Sequence, residues 1–91
     1  MNNQGLIKFT TSTKVYTEAG VIERDPNTLG FHFVNTGAVI VYINNLPIYP
    51  SGVFDTMYSG YKDVSKYSFK FDTTIPGSNT ELTTITFNQS N

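Results

Sequence analysis

Tyr67-Ser68-Phe69-Lys70-Phe71-Asp72 alternates aromatic and polar residues without a break, and that alternation restricts the conformation the segment can take. Successive side chains of a strand point to opposite faces, so Tyr67, Phe69 and Phe71 fall on one side and Ser68, Lys70 and Asp72 on the other. No window of the chain places apolar residues at i, i+3, i+4 and i+7 between helix caps, so helix is nearly excluded. Thirteen Thr, seven Phe and six Tyr reinforce the strand reading, because β-branched and aromatic side chains suit a pleated, half-buried surface.

A chain of 91 residues is one domain, and at that size it hides only about two-thirds of the surface its unfolded form exposes. It contains no Cys, so neither a disulfide nor a thiolate-bound metal can reinforce the thin core. Stability must come from β-packing, oligomerisation, or both. Six Lys and Arg against seven Asp and Glu give a net charge of -1. No basic run offers a footprint for nucleic acid or anionic lipid. Near-neutrality also leaves little repulsion between copies. Met1-Asn2-Asn3-Gln4-Gly5 lacks the pattern of a signal peptide, and the longest apolar stretch, Ala38 to Ile43, is too short to span a bilayer. A protein made in the cytoplasm is expected.

Short strands are expected at Leu6 to Thr13, Val15 to Thr17, Val21 to Arg24, Leu29 to Val34, Ala38 to Ile43, Leu46 to Tyr49, Val53 to Tyr58, Tyr67 to Asp72 and Leu82 to Asn88. Turn residues at Glu18-Ala19-Gly20, Asp25-Pro26-Asn27, Asn44-Asn45, Pro50-Ser51-Gly52 and Pro76-Gly77-Ser78-Asn79 separate them. Asn35-Thr36-Gly37 reads as a three-residue hairpin loop with Gly37 at positive φ, pairing Leu29–Val34 with Ala38–Ile43. Ala38–Ile43 is apolar on both faces and is expected at the centre of a sheet, covered on both sides. Pro47 and Pro50 remove ladder donors and demote the next strand to an edge or a short return. Leu6–Thr13 and Leu82–Asn88 lack proline and carry little charge, so either could add to a neighbouring sheet. The expected fold is a small antiparallel β-sandwich or jelly-roll-like domain of seven to eight short strands over residues 1–91, with polar tails at 1–4 and 89–91.

Chemistry finds little support. His32 is the one histidine, held between Phe31 and Phe33, and no G-x-S-x-G elbow supplies a nucleophile. Glu18, Glu23 and Asp25 lie close in sequence but lack the spacing of a calcium loop. Asp55, Asp63, Asp72 and Glu81 show no pairing of the kind a glycosidase needs. No enzyme, cofactor or metal is expected. Tyr58, Tyr61 and Tyr67 bracket a polar loop, and exposed tyrosines there would suit a protein interface or stacking on a sugar ring. The competing reading is that one or two of them close the rim of the core.

Phe33-Val34-Asn35-Thr36-Gly37, then Val41-Tyr42-Ile43-Asn44 through Ile48-Tyr49-Pro50-Ser51-Gly52, then Tyr67-Ser68-Phe69-Lys70-Phe71, and finally Asn79 with Leu82 to Phe87 form an ordered series of motifs. This series resembles small β-sandwich proteins from the virion gene clusters of tailed bacteriophages that infect Bacteroidetes, crAss-like and related. The resemblance covers roughly two-thirds of the chain. The chain departs from it at Asn44-Asn45, a tight turn without glycine, and at Pro50-Ser51-Gly52, where Pro-Gly is common. The resemblance implies a structural component of a virion, as head decoration, fibre base, collar or tail part, in contact with other virion proteins and copies of itself. A carbohydrate- or receptor-binding module, with a glycan on the tyrosines, is the alternative.

Overall fold

The computed structural model describes residues 9–23, 26–56 and 66–89. Eight strands and no helix occur among them: β1 (Phe9–Tyr16), β2 (Gly20–Val21), β3 (Thr28–Asn35), β4 (Val41–Ile43), β5 (Leu46–Ile48), β6 (Val53–Asp55), β7 (Ser68–Phe71) and β8 (Leu82–Gln89). They form two four-stranded sheets, ordered β1-β8-β3-β6 and β2-β7-β4-β5, with every pairing antiparallel. The chain is an all-β sandwich.

The facing surfaces are set by alternation. Phe31 and Phe33 of β3 are fully buried, while His32 and Val34, which alternate with them, are partly exposed. Phe69 and Phe71 of β7, with Tyr67 just before it, fill the opposite wall. Val41, Ile43, Ile48, Ile22 and Leu82 complete the core. The rings interlock: Phe31 stacks on Phe33 with centroids 5.4 Å apart, and Tyr67 meets each edge-on at 5.6 Å. Such offset and edge-to-face contacts match the ring quadrupoles and add to the area buried.

The turns follow the residues that form them. Asn44 and Asn45 have φ of 49° and 70°, the left-handed pair that a two-residue hairpin of type I′ demands. Pro47 faces Tyr42 in the resulting register. That pair is one removed from the turn-closing pair, so it is of the type that exchanges no hydrogen bonds, and Pro47 lacks no ladder donor. β5 is an edge, as expected. Gly52 N donates to Tyr49 O at 2.7 Å around Pro50 and Ser51, and Ser51 has φ of 70°, which makes a type II turn. Gly77 also has positive φ, at 80°.

Several expectations need correction. β3 and β4 do not pair as a hairpin; they lie in different sheets, and 36–40 carries the chain across the sandwich. Asn35 holds that crossing. It is 1 % exposed, and its Nδ2 donates to Val39 O at 2.7 Å and Ile48 O at 2.8 Å. Its Oδ1 accepts from Gly37 N at 3.0 Å, while its own N–H and C=O reach Gly52 and Ser51. Gly37 serves close approach, not positive φ: a Cβ there would lie 2.6 Å from Glu81 N and 2.7 Å from Asn79 O. β4 is central but not covered on both faces, since Tyr42 turns outward beneath Lys70 Nζ, 5.8 Å from its ring centroid. β8 is no edge, because β1 and β3 flank it. Gln89, expected in the tail, ends β8 and donates its N–H to Asn27 O at 2.8 Å. The expected strand pieces Leu6–Thr13 and Val15–Thr17 merge into β1, with Leu6, Ile7 and Lys8 outside the described residues.

One buried hydroxyl is left over. Thr84 is 1 % exposed opposite Phe33, and its Oγ1 has no hydrogen-bond partner. An unpaired buried hydroxyl costs roughly 1–3 kcal/mol. Thr84→Val, which keeps the shape and removes the polar atom, is therefore expected to raise the stability by about 1 kcal/mol. Urea unfolding checks this, and a midpoint at or below that of the parent protein would contradict it.

Candidate functional site

The residues singled out for chemistry are dispersed. His32 and Asp55 are opposite one another on β3 and β6, and Nδ1 lies 3.4 Å from Asp55 Oδ2 on the outer face of the first sheet. Glu23 pairs with Lys14, and its hydrogen bond to the ammonium is the main cause that raises the Lys14 pKa. Asp72 Oδ1 accepts the Thr74 N–H at 3.0 Å, which holds that carboxyl below its usual range. Asp25 and Asp63 lie outside the described residues. Among the described residues no three His, Cys, Asp or Glu side chains converge. A shallow groove beside Val39, Ile40, Pro50 and Ile75 contains Asp72 as its lone acid.

The tyrosines do not make a described platform. Tyr67 is 9 % exposed and belongs to the core, because its place in the β7 alternation points the ring at Phe31 and Phe33. Tyr58 and Tyr61 lie outside the described residues.

The feature with functional geometry is an edge. Each sheet has two, and three of the four are blunted in ways that natural proteins use against unwanted pairing. β2 has two residues, β6 has three, and β5 has three including Pro47. β1 is different. It runs for eight residues with no proline and no register break against β8. Its single charge, Lys14, is engaged by Glu23.

The open side of β1 can be assigned atom by atom. Gln89 N donates toward β3, so its partner Phe9 receives no ladder hydrogen bond from it. Antiparallel pairs alternate in type. Thr10, Ser12, Lys14 and Tyr16 therefore direct their N–H and C=O groups at β8, and Phe9, Thr11, Thr13 and Val15 direct theirs outward. The β3 side agrees, since Phe31 and Asn35 hydrogen-bond toward the β6 flank.

No family model, curated protein or solved structure matches this chain. The reading of the site therefore rests on its own geometry.

The side chains of the outward-bonding residues share the outer face of the first sheet with Thr83, Ile85, Phe87 and Gln89. That face is apolar for a solvent-facing one. Phe9 and Val15 are 49 % and 51 % exposed, and the Phe9 ring meets Phe87 edge-on at 5.8 Å. At the other end of β1, Tyr16 turns inward and packs edge-on against Phe69 at 5.0 Å. Its hydroxyl accepts the Glu23 N–H at 3.1 Å. One end of the strand is thus anchored to the core, while no described strand pairs with its outer edge. Sequence reasoning identified a proline-free, weakly charged amino-terminal strand as an edge. It missed Ile85 and Phe87 as outer-face residues, because alternation separates two faces without saying which one looks inward.

Proposed function

We propose that this chain is a non-enzymatic assembly module that joins its neighbours by adding a strand to the open edge of β1. The observation that carries the reading is the contrast among the four edges: among the described residues, β1 alone is long, regular and unprotected. Main-chain hydrogen bonds along such an edge supply affinity, and alternate side chains supply selectivity. The apolar outer face beside it extends the contact. The resemblance of the motif order and spacing to small phage virion proteins supports placing this assembly in a virus particle, with copies of itself and other virion proteins as partners. The near-neutral charge is compatible with close packing of many copies.

Thr13→Pro tests the edge. The Thr13 N–H points outward, so proline removes a donor offered to a neighbour and none used in β8 pairing. The variant is expected to keep its melting temperature within a few degrees and to lose higher-order association in sedimentation velocity. A variant that associates as the parent does, or a parent that stays monomeric at every concentration, would refute the proposal.

A further inference from the structure

The assembly reading leaves open what adds to β1. We infer, on the basis of that reading, that it is a second copy of this chain, paired antiparallel about a twofold axis at Ser12. The argument is one of register. Among the described residues of this edge, Phe9, Thr11, Thr13 and Val15 offer outward hydrogen bonds, and a twofold axis requires the numbers of paired residues to have a constant sum. With Ser12 facing the partner's Ser12, Phe9 pairs with the partner's Val15 and Thr11 with the partner's Thr13. Every outward N–H and C=O from Phe9 to Val15 then finds a partner. An axis at Thr11 leaves Val15 without a described partner, and an axis at Thr13 sets Phe9 opposite Thr17, past the end of β1.

The side chains fit the same register. On the outer face an aromatic ring meets a β-branched side chain and Thr meets Thr, two of the favourable cross-strand pairings. On the inner face Ser12 meets Ser12, and Lys14 lies opposite the partner's Thr10. No like charges oppose one another, and each Lys14 keeps its own Glu23. The axis stands perpendicular to the sheet, so the two first sheets become one eight-stranded sheet with both second sheets on the same side. The exposed Phe9 and Val15 of one copy are covered in part by Val15 and Phe9 of the other.

The absence of cysteine makes the register testable by cross-linking. Across the junction Ser12 forms a pair without mutual hydrogen bonds, with Cα atoms about 4.5 Å apart, which is within the range a disulfide spans. Residue 10 of one copy is about 13 Å along the strand from residue 10 of the other. Under mild oxidation of the full chain, Ser12→Cys is expected to form a covalent dimer at least about ten times faster than Thr10→Cys or Lys14→Cys alone, and the last two are expected to cross-link when mixed. Equal rates for the three single variants, with a parent that still associates and a Thr13→Pro variant that does not, would overturn the twofold pairing and leave the assembly reading standing. A monomeric parent with no preferential Ser12→Cys cross-linking would overturn both.

Discussion

Phe33→Ala is expected to remove about 3–5 kcal/mol of stability, the usual cost of emptying a fully buried phenylalanine site. Phe33 is completely inaccessible and is the ring on which the aromatic core converges. Phe31 stacks on it at 5.4 Å, Phe54 at 6.0 Å, and Tyr67 meets it edge-on at 5.6 Å. These rings come from β3, β6 and the approach to β7, so the cavity would open between the two sheets. Neither sheet can close it without losing register. A domain of this size has roughly 5–14 kcal/mol to lose, and each kcal/mol is worth about 4–8 °C. The melting temperature is therefore expected to fall by at least ~12 °C. His32→Ala, one residue away on the outer face, serves as the comparison and should shift it far less. Similar losses in the two variants would show that β3 does not present Phe33 to the core.

The second large effect is expected at Asn35. Asn35→Leu keeps the approximate volume but strands Gly37 N–H and the carbonyls of Val39 and Ile48. Each orphaned buried group costs about 1–3 kcal/mol, so a total loss of about 3 kcal/mol or more is expected. Asn35→Asp separates the donors from the acceptor. The carboxylate can still accept from Gly37 but would face two carbonyl oxygens where the amide donated. Ionisation is thus disfavoured in the folded state, and the folded pKa of the introduced acid lies above its unfolded value of about 3.9. A raised folded pKa means that the variant is most stable below the unfolded value and loses stability as pH rises through the folded one. Chemical unfolding of Asn35→Asp at acid and neutral pH, corrected for the pH dependence of the parent, should show this trend. A flat or opposite profile would mean that Asn35 does not donate to both carbonyls.

Local patterns in the sequence located much of this architecture. The alternation around Phe31 to Val34 and Tyr67 to Phe71 separated the two faces of each strand correctly, and the Asn44-Asn45, Pro50-Ser51-Gly52 and Pro76-Gly77 turns lie where their backbone preferences put them. The pairing of strands was less legible because it depends on partners far along the chain. Asn35-Thr36-Gly37 has the chemistry of a hairpin loop, yet the contact that decides its role is with Ile48 O. β8 resembles an edge in composition, but β1 and β3 enclose it. At the candidate site, the edge character of β1 was visible in its lack of proline and charge. Tyr67 was ambiguous, since a tyrosine in an alternating strand serves a core as readily as a surface.

The enclosure of β8 also has a temporal consequence. The strand at the middle of the first sheet is the last of the eight to leave the ribosome. Until Leu82–Gln89 emerges, β1 has no rail to lie on, and closing the long intervening loop must precede the reward of pairing. The open edge of β1 is consequently framed only once β8 has been made. A chain not yet extended through Leu82–Gln89 lacks that template, so on the proposed reading the synthesis of β8 acts as a licence for assembly.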